Sequence, residues 1–145
     1  MQLTTYTDYT LRVLMYLALA TDERVTIQEI AEAYGISRNH LVKIVHDLGR
    51  EGLVETTQGR SGGIRLAVPP ETVEIGNVVR RSERNFSLVA CFSDSDAACR
   101  VEPACVLSSV LDEALTAFLD VLDGYTLADL VRPRKRLRQL LAIAG

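Results

Sequence analysis

Three cysteines, Cys91, Cys99 and Cys105, fall within fifteen residues of a 145-residue chain that has no others, in the spacing C-x7-C-x5-C. An odd, clustered set is poorly suited to structural disulfides. Soft thiolates gathered together are what an iron-sulfur cluster or zinc needs. Zinc prefers closely spaced cysteine pairs and a fourth Cys or His. The only histidines, His40 and His46, are far away in the sequence. A single cysteine would read as a small hydrophobe, but three in a run of Ser, Asp, Ala, Arg and Pro read better as ligands. Three thiolates and a weaker fourth ligand suit an iron-sulfur cluster, although the spacing matches neither ferredoxin pattern.

What surrounds these residues is a chain with 48% hydrophobic composition, enough for one compact domain or a small domain with an appendage. The longest apolar run, Val13 to Ala20, is too short to cross a bilayer, and no positive residue precedes Asp8 as a signal peptide requires. A cytoplasmic, reducing location with no membrane partner is expected. The net charge of -3 weighs against nucleic acid only in aggregate, because the cations sit in patches. There is no nucleophile-base-orienter set, phosphate loop or dinucleotide fingerprint, so catalysis is not expected.

The expected architecture is mainly α. Residues 8 to 20 carry Leu11, Leu14, Met15, Ala18 and Leu19 on one helical face, with Thr7 or Asp8 as the cap. Thr26 and Glu29 have capping-box spacing for a second helix that ends at Tyr34-Gly35. Ser37 is placed to cap a third, running to about Gly49 with Leu41, Ile44, Val45 and Leu48 inward. LVETT and GIRLAV, joined by QGRSGG, predict a hairpin with a basic tip. After Pro69-Pro70 a fourth helix would use Val73, Ile75, Val78 and Val79. From Pro103 a helix of about 20 residues, ~30 Å long, repeats apolar groups from Leu107 to Leu122. A short helix, TLADLV, follows, and then a basic tail of undefined order.

The second and third helices, with Ile30, Tyr34, Ile36, Leu41 and Ile44 as anchors and Gly35 in the turn, have the pattern of a helix-turn-helix. The hairpin converts it to a winged helix. On the outer side of the third helix Ser37, Arg38, Asn39, His40 and Lys43 are donors or phosphate partners. This predicts double-stranded DNA as partner: Arg38, Asn39 and His40 near base edges in the major groove, Ser37 and Lys43 on phosphates. Arg60 at the wing tip would enter a minor groove, with Arg65 in the second strand beside it.

The stretches MQLTTYTDYTLRVLMYLA, SRNHLVKIVHDL, GRSGGIRL, the C-x7-C-x5-C loop and DGYTLADLV together resemble the nitric-oxide-sensing repressors of the Rrf2 family of winged-helix regulators. The likeness runs in order from Met1 to about Val131. It implies a homodimer in which the long helix packs against its partner. It also implies a 4Fe-4S cluster on Cys91, Cys99 and Cys105, with Asp8 of the partner subunit as fourth ligand. On the residues alone Asp8 reads as a helix cap; the resemblance makes it a ligand. Family members that regulate cluster assembly hold a 2Fe-2S cluster and have a histidine just after the third cysteine, where this chain reads CVLSSVL. That favours the 4Fe-4S type, with 2Fe-2S as the alternative.

The resulting expectation divides the chain into a winged helix-turn-helix (1–81), a cluster-binding loop (82–105), a dimerisation helix with a short helix (103–131) and a basic tail (132–145). Nitric oxide acting at the cluster would free Asp8 and release a palindromic operator. A redox or iron-supply signal through the same cysteines is the alternative.

Overall fold

The computed structural model describes residues 2–20, 23–60, 62–89, 92, 99–101 and 104–143. Helix α1 spans Thr5–Leu19, one turn earlier than expected, because its cap is Thr4 and not Thr7 or Asp8. The Thr4 hydroxyl accepts from the Thr7 amide at 3.2 Å, and its own amide and hydroxyl donate to the buried Glu83 carboxylate at 2.6 and 3.1 Å. The buried face also differs from the expected one. Val13, Leu14, Tyr16, Leu17, Ala18 and Leu19 are buried, whereas Leu11 and Met15 are only half-buried. Two additional layers, the helix-turn-helix and the later helices, cover α1, so its apolar surface is wider than a single stripe.

Helices α2 (Ile27–Tyr34) and α3 (Arg38–Arg50) follow the expected pattern closely. The Thr26–Glu29 capping box starts α2, and Gly35 ends it at φ 64°, a left-handed conformation that glycine adopts without steric cost. Ser37 precedes α3 but makes no side-chain cap bond, which corrects its expected role. Leu41, Ile44, Val45 and Leu48 are the buried stripe of α3. Strands β1 (Val54–Thr57) and β2 (Gly63–Leu66) pair antiparallel in the register Val54↔Leu66 to Thr57↔Gly63. Val25 and Ile64 exchange backbone bonds of 3.0 and 2.8 Å, which fastens this wing to the segment leading into α2.

A 3-10 turn at Pro70–Thr72 precedes α4 (Ile75–Ser82); Ile75, Val78 and Val79 are buried as expected, and Val73 is buried too but lies ahead of the helix, as the C-cap of the turn. Helix α5 (Val106–Asp123) begins with Cys105 in the N-cap position; Pro103, expected in its first turn, lies outside the described residues. Helix α6 (Leu127–Leu130) returns to the core, where Leu127 is fully buried and its amide donates to Val73 O at 2.8 Å. The basic segment forms α7 (Arg134–Leu140), docked on the end of α1. Arg134 donates to Ala18 O and Leu19 O at 3.0 Å each, and Arg138 to Leu19 O at 2.6 Å, satisfying terminal carbonyls at the negative end of the helix dipole.

The core joins α1 with α2, α3, α4, β2 and α6 through Leu14, Leu17, Ile30, Leu41, Ile44, Ile64, Val79 and Leu127. Each such side chain contributes about 1.5–3 kcal/mol of burial free energy. Helix α5 is different: among its 18 residues none is buried, and Val106, Leu107, Val110 and Val121 are exposed. No helix among the described residues is long and apolar enough to cross a membrane.

Candidate nucleic-acid interface and cluster ligands

With its apolar stripe turned inward, α3 presents Asn39, Val42, Lys43 and His46 on its exposed side, spaced i, i+3, i+4 and i+7. Ser37, Arg38, Asn39, His40 and Lys43 are all exposed, so the structure leaves each expected contact residue accessible at the start of one helix. Arg60 sits on the turn of the wing, exposed, with no ion pair among the described residues. Arg65 is committed elsewhere. Its guanidinium meets the Glu55 carboxylate directly across the hairpin at 2.9 and 2.8 Å, and Arg24 reaches the same oxygen at 3.3 Å. Arg65 holds the Glu55 carboxyl below the usual range.

Contacts from α1 steady the recognition helix, and the sequence reasoning missed them. The Tyr6 hydroxyl donates to Asp47 Oδ2 at 2.7 Å, and Lys43 Nζ lies 5.4 Å from the centre of the Tyr6 ring. Burial and then this hydrogen bond push the Tyr6 hydroxyl well above its ordinary pKa. The Tyr9 and His40 rings are 6.0 Å apart. Residues 40, 43 and 47 therefore form a ridge of α3 that faces α1. Two tyrosines spaced i, i+3 were the available signal, but nothing in the sequence said which helix they would touch.

Asp8 lies between these tyrosines, in the first turn of α1 and half-exposed. Because Thr4 is the cap, the cap reading of Asp8 is overturned. Its carboxylate pairs instead with Arg12, Nε to Oδ1 at 3.0 Å and Nη2 to Oδ2 at 2.9 Å. The same guanidinium lies 5.7 Å from the Tyr34 ring centre, at the end of α2. Through Arg12, Asp8 is thus linked to α2, while its helix neighbours Tyr6 and Tyr9 touch α3.

Of the expected thiol ligands, Cys99 is exposed and Cys105 half-buried, both free of disulfides; Cys91 lies outside the described residues. Among the described residues no three potential ligands converge within one chain. The donor set nevertheless fits an iron-sulfur cluster on its chemistry. The thiols of Cys99 and Cys105 are unpaired, and Cys105 stands at the positive end of an 18-residue helix, where the negative charge of a thiolate-ligated cluster is favoured. A carboxylate contributed by a second subunit would complete the set.

A helix-turn-helix with a hairpin wing, cations on its recognition helix and wing tip, and a thiol-bearing segment leading into a long helix with an exposed apolar face defines a winged-helix DNA-binding transcriptional regulator. The chain belongs to the Rrf2 family, described as iron-dependent transcriptional regulators, whose pattern it matches over residues 3–133. It is 54% identical over 142 residues to the HTH-type transcriptional regulator NsrR of Geobacillus kaustophilus, covering 97% of each chain. It is 51% identical over 142 residues to the NsrR of Bacillus subtilis, covering 97% of each chain. Among solved structures, T. potens IscR superposes with a TM-score of 0.72 at 25% identity, covering 92% of this chain and 88% of that one.

Proposed function

We propose that this protein is a homodimeric, nitric-oxide-sensitive repressor whose hold on a palindromic operator depends on an iron-sulfur cluster. Cys91, Cys99 and Cys105 would hold the cluster, of the 4Fe-4S type, with the partner subunit's Asp8 as fourth ligand. When bound, the cluster supplies iron that reacts with nitric oxide. The relatives that share the designation NsrR agree with this reading.

The observation that carries it is the position of Asp8. It stands on the helix whose neighbouring Tyr6 and Tyr9 touch Asp47, Lys43 and His40 of the recognition helix. A force on Asp8 therefore reaches α3 through rigid rings and one hydrogen bond. Engaged by the partner subunit, Asp8 ties the pose of α3 to the dimer; disengaged, it keeps only its local pair with Arg12. Dimeric regulators read half-sites about one helical turn apart, or multiples of that, so the relative placement of the two α3 helices governs affinity. The exposed apolar face of α5 supports dimerisation, because an amphipathic helix with no buried residue in its own chain needs a partner.

The test is iron and acid-labile sulfide per chain with the visible spectrum, on protein purified without oxygen, followed by operator binding. About four irons and four sulfides per chain are expected. Binding should be tight when the cluster is present and fall toward the non-specific level after nitric oxide. Equal operator affinity with and without the cluster would remove it as the switch. A stronger response to iron depletion or oxygen than to nitric oxide would instead favour the iron-supply or redox reading.

A further inference from the structure

Beside the recognition helix is a cleft of about 270 Å³ whose walls come from α1, α3 and α4. Three cations line it: Lys43 of α3, Arg81 of α4, and Arg84 two residues beyond α4. All three are exposed. Asp47 is the one anion in the lining, so three positive charges there face a single negative one. Arg81 reaches Glu51 only at 3.4 Å, with both side chains substantially exposed, a pairing of little strength. Arg84 has no hydrogen bond or ion pair among the described residues. Cations grouped around one cleft with so little compensation raise the local potential and favour an arriving anion.

From this cleft we infer a second DNA contact site, which takes a backbone phosphate of the operator through Lys43, Arg81 and Arg84. The inference rests on the placement of α3 in the major groove. A helix lying in that groove has a sugar-phosphate strand along each flank. Lys43 lies on the exposed side of α3, and Arg81 and Arg84 share its cleft, so a strand that Lys43 touches comes within reach of all three cations. The site binds phosphate without reading bases. It draws on a fourth helix that a helix-turn-helix pattern does not include, and for that reason Arg81 and Arg84 stood outside the contact residues expected from sequence.

The experiment measures affinity against salt concentration for the wild-type protein, Arg84→Ala and Arg81→Ala. The probes are a palindromic duplex selected by the wild-type protein from random DNA, and a scrambled duplex of equal length. Each lost phosphate contact should reduce the slope of log K against log [salt] by about 0.9, or about 1.8 for the two half-sites of a dimer. Operator and scrambled affinities should fall by the same factor, and Arg84→Lys should restore the slope. Thermal melts should be unchanged, since the side chains are exposed. An unaltered slope in both alanine variants overturns the site. Asn39→Ala distinguishes failure of the larger reading: if it leaves operator and scrambled DNA discriminated as before, α3 does not read the groove, whatever the slopes report.

Discussion

Asp8 and Arg12 stand one turn apart on α1 and are joined twice, at 3.0 and 2.9 Å. The pair uses both carboxylate oxygens, so a ligand bond from Asp8 to iron must compete with the guanidinium. Arg12 is therefore a restraint on the proposed fourth ligand, and its guanidinium also lies 5.7 Å from the Tyr34 ring centre of α2.

Arg12→Gln should free Asp8 for ligation. Loss of the visible cluster absorption in excess chelator should then slow, by a factor of two or more. Faster loss would show that Arg12 orients Asp8 instead of competing for it.

Tyr6→Phe should alter the acid limb of stability. The Tyr6 hydroxyl is the largest cause holding the Asp47 carboxyl below the ordinary range, with His46 and Lys43 assisting. A carboxyl depressed in the fold stabilises it above its unfolded pKa, and that contribution is lost as pH falls through the folded value. Urea unfolding of the wild type should therefore weaken progressively below about pH 4, and Tyr6→Phe should flatten that dependence. At neutral pH the variant should lose about 1 kcal/mol or less, since Asp47 is partly solvated.

The wing has a steric requirement at Gly62. A Cβ there would overlap the Thr57 carbonyl oxygen and lie 2.9 Å from Gln58 C and Gly59 O, all backbone atoms that cannot swing aside. Gly62→Ala should cost about 1–3 kcal/mol through local overpacking. Operator affinity should fall as Arg60 is displaced, while the helical circular dichroism stays the same. Unchanged affinity would remove the wing from the interface.

Leu107 and Val110 are exposed on α5 within one chain. Leu107→Asp together with Val110→Asp should shift sedimentation from dimer to monomer and abolish high-affinity operator binding, leaving the fold of the isolated chain intact. A persistent dimer would place the interface elsewhere.

The helix-turn-helix and wing were legible in the sequence because their signals are local. The Thr26–Glu29 box, Gly35 with its positive φ, the four inward residues of α3 and the glycine-rich hairpin each specify their own backbone within a few residues. The exposure of the residues expected to meet DNA was legible for the same reason: once α3 is amphipathic, its polar residues must face out. The soft-metal site proposed above comes from the type and spacing of the thiols alone.

Only the tertiary structure decided which side chains meet across elements. Thr4 displaced Asp8 as the cap of α1 because Glu83, 79 residues away, braces the Thr4 end. Arg65 became a cross-strand partner of Glu55 once the register was set, and the terminal arginines closed the end of α1 more than 110 residues distant. The Tyr6–Asp47 and Tyr9–His40 contacts, and the grouping of Lys43 with Arg81 and Arg84, depend on how three helices cross. Periodicity tells which face of a helix is buried, but the neighbour it meets is settled by packing of the whole core, where many weak contacts between distant segments are satisfied together.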